Sequence, residues 1–330
     1  MKKLSSFLFA LFIVCYVHAQ APEKFGKVNQ SVLRNSLCPI DSAANAYVLF
    51  DQGATRISYS DNSGWFWEMS RHVRIKILNS DGYDYADFEI PIRGKNEYVN
   101  GIRGFTFNFE NGRKTKSKVK NDHRFREEVS ENFILYKVSF PNVKEGSVLD
   151  LKYTLKSEYF SLLRDWNFQW NIPVLYSEFH VRIPEYFHYQ TNMRGYHKLH
   201  HYEEETGTET VILDNSTYNF STWSKKMVSL NLPALKPEKY VSSMENFRSG
   251  IEFELASINI PGVLYKTYTS NWEDVNKELL NNDNFGFKLD KTGFARKEIH
   301  QIIEKYDNKY ERMTAIFEFV KEKIRWNEEY

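Results

Sequence analysis

An internal disulfide is ruled out at once. The chain has only two cysteines, Cys15 and Cys38, and Cys15 sits in an apolar leader. A single remaining thiol cannot pair within the chain, so packing must hold the fold. Cys38 stands in RNSLCPIDSAANAY with Pro39 beside it and no histidine near. A reactive thiolate needs a base or an electropositive pocket, so Cys38 reads as structural. Long apolar runs are also missing. The longest, Leu8 to Val17, falls short of the roughly 20 residues of a spanning helix, so the mature chain is read as having no membrane span. Nor is there an excess of one charge: 44 Lys and Arg face 43 Asp and Glu. That balance removes the global electrostatic case for nucleic acid or an anionic membrane as partner. Phosphate-cradling glycine loops, the zinc-protease pair of histidines flanking a glutamate, and a serine in a nucleophile elbow are all missing. No cofactor is implied.

The first residues, MKKLSSFLFALFIVCYVHAQA, carry basic Lys2 and Lys3, a short apolar core, and small residues at Val17 and Ala19. This pattern predicts a signal peptide over 1–19, cut between Ala19 and Gln20. Cys15 lacks the preceding small residue of a lipoprotein signal. The expected location is periplasmic or extracellular.

Aromatic residues are abundant, with 25 Phe, 21 Tyr and 7 Trp, a load that suits sheets. From about 46 to 257 the text alternates with period two, as in HVRIKIL and FTFNFE. Asp81-Gly82, Asn111-Gly112 and Lys144-Glu145-Gly146 read as turns, the first as a strong hairpin signal. WNFQWNI and YHKLHHY read as further strands. The pattern predicts an antiparallel, two-sheet β-sandwich-like domain over 20–262, its core about 40–257. Residues 230–262, with Pro233, Pro237 and Pro261, read as its connection to a second unit. From 263 to 330 the text turns helical. Ser270 and Glu273 resemble a capping box, GFARKEIHQIIEKY gives a second helix, and YERMTAIFEFVKEKIRW a third. Tyr310, Met313, Phe317, Val320 and Ile324 recur at steps of three and four, forming one apolar face.

Three groups invite a functional reading. His197, His200 and His201 suggest a metal, but a strand points His200 away from the other two, so a polar hairpin explains them more simply. Lys114, Lys116, Lys118 and Lys120 share one strand face. That strip would suit anionic envelope glycans, or would keep an edge strand from pairing. Trp166, Phe168, Trp170 and Ile172 share another face, which suits stacking on sugar rings or, more simply, an inward core row. Trp65 and Trp67 read as core in the same way. The binding-surface candidates are therefore Trp166, Trp170, Lys114, Lys116 and Lys118, with no catalytic residue among them.

Several stretches in order, VLFDQGATRIS, RHVRIKILNSDGYDYADFEIPI, EEVSENFILYKVSFPNVKEGSVLDLKYTL, DWNFQWNIPVLYSEFHVRIPEYF and LNLPALKPEKYVSSMENFRSGIEFEL, resemble the domain of unknown function that precedes transglutaminase-like domains in exported bacterial proteins. The likeness covers about 40–260. The later stretch, YTSNWEDVNKELLNNDNFG through MTAIFEFVKEKIRWNEEY, resembles the helical lead-in of a transglutaminase-like domain. The resemblance implies that the nucleophilic cysteine, histidine and aspartate of that domain lie beyond Tyr330; Cys38 is in the wrong domain. It implies a non-catalytic exported β module that positions a substrate or partner. The alternative is the substrate-guiding part of a thiol-dependent acyltransferase or peptidase, and a weaker one is a carbohydrate-binding module. The expected partners are the rest of its own chain and an envelope protein or glycan.

Overall fold

The computed structural model describes residues 24–325, apart from 131, 214, 215, 269, 270, 284, 290 and 292. The leader and the cleavage pair Ala19 and Gln20 lie outside the described residues. A short helix, α1 (Gln30–Arg34), precedes β1 (Ala46–Ser60), β2 (Gly64–Ile77), β3 (Asp87–Arg93), β4 (Glu97–Glu110), β5 (Arg113–Lys118), β6 (Arg124–Ser130), β7 (Phe133–Ser139) and β8 (Val148–Ser157). Then come β9 (Trp166–Asn167), β10 (Val174–Pro184), β11 (Phe187–Arg194), β12 (His201–Leu213), β13 (Ser216–Leu232), β14 (Gly250–Ile260) and β15 (Leu264–Thr267). Helices α2 (Trp272–Leu280), α3 (Gly286–Leu289), α4 (Arg296–Lys305) and α5 (Lys309–Lys323) complete the order.

The chain is mainly β, and the alternation seen in the sequence sets its layers. On β2, Trp67, Met69, Val73, Ile75 and Ile77 point to one face and are buried. Register places Val73 beside Leu151 and Ile75 beside Leu149 of β8, so the apolar rows of neighbouring strands fuse. These rows belong to an eight-stranded sheet of order β12-β13-β10-β1-β2-β8-β4-β5. Two smaller sheets cover its inner face. One has the order β3-β7-β6, and the other runs β11-β14-β15 with β9 on β14. Ile90, Ile92 and Val138 enter the core from the first; Phe187, Ile251 and Ile258 enter from the second. Each such burial contributes about 1.5–3 kcal/mol.

The expected two-sheet arrangement is therefore corrected to three hydrogen-bonded sheets. Pro91 in β3 gives one physical reason. It has no N–H to offer a further strand, and among the described residues β3 is the edge of this sheet. Instead Arg164 Nη2 reaches the Pro91 carbonyl at 2.6 Å. The pairing is also not wholly antiparallel, since β1 and β10 run parallel.

Asn111 and Gly112 both take positive φ and close the β4–β5 hairpin, as a two-residue turn of this type requires. Asp81-Gly82 makes no hairpin; it lies in a 3-10 turn over Ser80–Ala86, because β2 pairs with β1 and β8 rather than with β3. Lys144-Glu145-Gly146 carries the chain between two sheets instead of pairing β7 with β8. In WNFQWNI only Trp166–Asn167 is strand, and in YHKLHHY the strand begins at His201. The expected connection over 230–262 contains β14, a central strand of its sheet.

The outer face of the large sheet is not left to solvent. Residues 24–34 cross it, burying Val28 and Leu33 against Phe107 of β4 and Val148 of β8 in a second, smaller core. Beneath them Arg74 and Lys76, which alternate with the apolar row of β2, are fully buried.

The three helical stretches form as expected. Ser270 lies outside the described residues, and Asn271 caps α2 by accepting from the Asp274 N–H at 2.9 Å. Helix α5 stands beside α4 with no buried residue. Its apolar face is open: Met313 is 61 % exposed and Phe317 62 %. Among the described residues no helix is long and apolar enough to cross a membrane.

Candidate functional site

Two arrangements concentrate charge on the inner side of the large sheet. The first joins neighbouring strands. Asp51 of β1, with no exposed side-chain surface, accepts from Arg71 Nε at 2.8 Å and Nη2 at 2.6 Å. It also accepts from Trp170 Nε1 at 3.1 Å. The guanidinium carbon lies 4.9 Å from the Trp166 ring, 5.4 Å from Trp170 and 5.7 Å from Phe88, in cation–π range. Burial alone would depress the guanidinium, but the charge and hydrogen bonds of Asp51, with Tyr153, hold it above its ordinary value.

Trp166 reaches this place because residue 53 is glycine. A Cβ on Gly53 would stand 2.3 Å from the indole. The ring stacks on Phe179 with centroids 5.0 Å apart, and its Nε1 donates to Ser177 Oγ at 3.1 Å. Phe179, Arg71 and Gly53 thus occupy the surface a sugar would need, and Trp166 is only 2 % exposed. Trp170 is half-buried, with its N–H spent on Asp51.

The second arrangement is an open cleft of about 1000 Å³ between β3, the 161–165 loop, β14 and α2. Phe133 and Leu162 form an exposed apolar rim. Behind them Arg164 Nη2 donates to Glu97 Oε2 at 2.7 Å, and the Arg93 N–H donates to the same oxygen at 2.6 Å. This fixes Arg164 in the wall. Next to it, Asp165 accepts from the Phe253 N–H at 3.2 Å. Burial pushes its carboxyl above the ordinary range, and neighbouring Glu252 pushes the same way. The Phe253 N–H, Arg194 and Arg93 offset this only in part. A perturbed carboxyl beside fixed guanidinium groups in a cleft marks a candidate binding site. With its apolar rim, it suits a polypeptide segment offering both polar main chain and apolar side chains.

The remaining sequence candidates fall elsewhere. Lys114 and Lys116 project from β5 onto the outer face, where their Nζ atoms donate to the carbonyls of Val28 at 3.0 Å and Gly26 at 2.9 Å. Lys118 is exposed at the end of β5. His201 opens β12 and sits 3.3 Å from Glu203, while His197 and His200 precede that strand. Among the described residues no group of three or more His, Cys, Asp or Glu could hold a metal. Cys38 is buried. Sequence reasoning missed Asp51, Arg71, Glu97, Arg164 and Asp165. Most of their side-chain partners lie far away in the chain, 20 positions for Asp51–Arg71 and 119 for Asp51–Trp170. The one local sign was the charged pair Arg164-Asp165 ahead of the aromatic row.

No curated protein matches the chain. Among solved structures, a candidate protease from Parabacteroides distasonis aligns with a TM-score of 0.57 and 11% identity, over 85% of this chain and 50% of that one. The chain therefore spans about half the length of that protein, and the likeness is one of fold. An M1 zinc metallopeptidase from Deinococcus radiodurans aligns with a TM-score of 0.24 and 8% identity, over 59% of this chain and 45% of that one. Yeast LTA4 hydrolase aligns with a TM-score of 0.24 and 13% identity, over 61% and 33%. At that level neither alignment carries an argument about this fold. Residues 67–226, from Trp67 in β2 to Lys226 in β13, match the family DUF3857, a domain of unknown function with a solved structure.

Proposed function

We propose that this chain is an exported, non-catalytic β module that positions a polypeptide substrate or partner for a transglutaminase-like domain of the same parent protein. The observation that carries the reading is the cleft walled by Arg164 and Asp165. It lies at the seam where β14 meets α2, the first helix of the stretch that resembles a transglutaminase-like lead-in. A segment held there would lie beside the helices. The buried charges elsewhere support a structural role, because Asp51 and Arg71 are enclosed by aromatic rings. The open apolar face of α5 supports a further layer of protein against it. Export rests on the leader, and an envelope protein is the expected occupant of the cleft.

A second reading makes the parent protein a thiol-dependent peptidase, of which this chain guides the substrate. The designation of the Parabacteroides distasonis protein as a candidate protease, and its greater length, favour it. Both readings give the cleft the same task. In the parent protein, Leu162→Asp at the exposed rim should raise KM for a protein substrate at least tenfold and leave kcat within twofold. The assay is transfer of a labelled amine to, or cleavage of, an unstructured protein substrate. An unchanged KM would remove the positioning role. If neither reaction occurs in the parent protein, the transglutaminase-like part of the reading fails.

A further inference from the structure

Residues 24–34 lie across the outer face of the large sheet without adding a strand to it. What holds them is nearly all directed at their main chain. Arg74 Nη2 donates to the Lys27 carbonyl at 2.8 Å and to that of Lys24 at 3.4 Å. Lys76 Nζ donates to the Leu33 carbonyl at 2.9 Å. From the sheet edge, Lys114 and Lys116 take the carbonyls of Val28 and Gly26. In the opposite sense, the Gly26 N–H donates to Asp150 Oδ2 at 2.7 Å. Side chains of the segment add apolar anchors, with Val28 and Leu33 buried and Phe25 packed on Phe105 and His72, and Arg34 sets its guanidinium 4.8 Å from the Phe109 ring.

We propose that this face is a peptide-binding groove, and that residues 24–34 are the chain's own ligand, held in cis and exchangeable for a free peptide of the same kind. The ligand class is a segment that opens with a turn over an aromatic residue and glycine, closed here by the Lys27 N–H on the Lys24 carbonyl at 3.1 Å, continues through any residue to an aliphatic one, and ends in a helical turn bearing a second aliphatic anchor. Glycine is required at the second place. Gly26 has φ +77°, and a Cβ there would lie 3.2 Å from Lys116 Nζ and 3.3 Å from the Phe105 ring. Emptying the groove is tolerable because its buried charges keep partners outside the segment. Asp150 retains Arg74 Nε at 3.3 Å and His72 Nε2 at 2.7 Å. Burial would raise the Asp150 carboxyl, but His72 and Arg74 together hold it below the ordinary range, so it stays an anion. Burial pushes the Lys76 ammonium down to about 8, and it retains the Gly146 carbonyl at 2.6 Å. Lys114 and Lys116 are exposed and can rehydrate.

The test uses the full chain and a fluorescein-labelled peptide of residues 24–35, KFGKVNQSVLRN, read by anisotropy. Val28→Asp with Leu33→Asp dislodges the segment without altering the groove. This variant should bind the peptide at least tenfold more tightly than the wild type, whose groove is filled. Adding Lys114→Ala and Lys116→Ala should weaken that binding at least fivefold. A folded double variant that binds no better than the wild type would overturn the proposal. If the double variant does not fold, hydrogen exchange of the wild type decides. Amides of Leu33 and Asn35 exchanging at least tenfold faster than those of β2 and β8 beneath would support a detachable ligand. Equal protection would overturn it and make the segment an integral layer.

Discussion

Asp51→Ala is expected to lower the unfolding free energy by about 3–5 kcal/mol, the cost of leaving one member of a buried ion pair alone. The Arg71 guanidinium would lose both carboxylate bonds, and the Trp170 indole N–H would lose its acceptor. The rings of Trp166, Trp170 and Phe88 would still face the cation, but cation–π attraction of about 0.5–2 kcal/mol does not replace a carboxylate. Urea denaturation at pH 7 gives the number. The double variant Asp51→Ala, Arg71→Met should be more stable than Asp51→Ala alone, since it removes the orphaned charge. Equal or lower stability of the double variant would mean that the pair is solvated and carries little.

Trp166→Ala is expected to cost a similar amount, about 3–5 kcal/mol, as large-to-small changes of a buried indole do. It removes the stack on Phe179 and the hydrogen bond to Ser177. A loss under about 1 kcal/mol would count against burial at this site. The glycine beneath provides an internal control. Gly53→Ala places a Cβ 2.3 Å from the indole and should destabilise by about 1–3 kcal/mol through overpacking. In the Trp166→Ala background that penalty should largely vanish, because the clashing ring is gone. Contacting residues couple in this way, and distant ones add.

The period-two alternation was enough to mark Val73, Ile75, Phe107 and Trp166 as buried, since burial on a sheet face needs only local periodicity, but not to show that Phe107 lies in the outer core under residues 24–34. The turn at Asn111-Gly112 was legible because Asn and Gly accept the positive φ of both positions. Strand partners were not legible. Asp81-Gly82 says only that the chain can bend, while the choice of β1 and β8 as partners of β2 depends on residues far away in sequence. Pro91 did carry a signal for the edge of the small sheet, one that only gains meaning once β7 is known to be its partner. Residues 24–34 show no strong period, and their role comes from carbonyl groups, which every sequence has. The walls of the cleft, likewise, come from three separate stretches. The helical faces were readable, and the structure leaves the apolar face of α5 uncovered.

The open apolar face of α5 is proposed to receive a further layer of protein. Hydrogen exchange of residues 309–323 against β2 and β8, in this same chain, tests it most directly. Helix α5 has 15 residues and none buried, and isolated helices of that length are marginal in water. Its amides are expected to exchange within about tenfold of a free helical peptide, while β2 and β8 open only with global unfolding. If α5 were as protected as β8, its apolar face would already be covered within this chain, and the claim of a surface offered to a partner domain would fail.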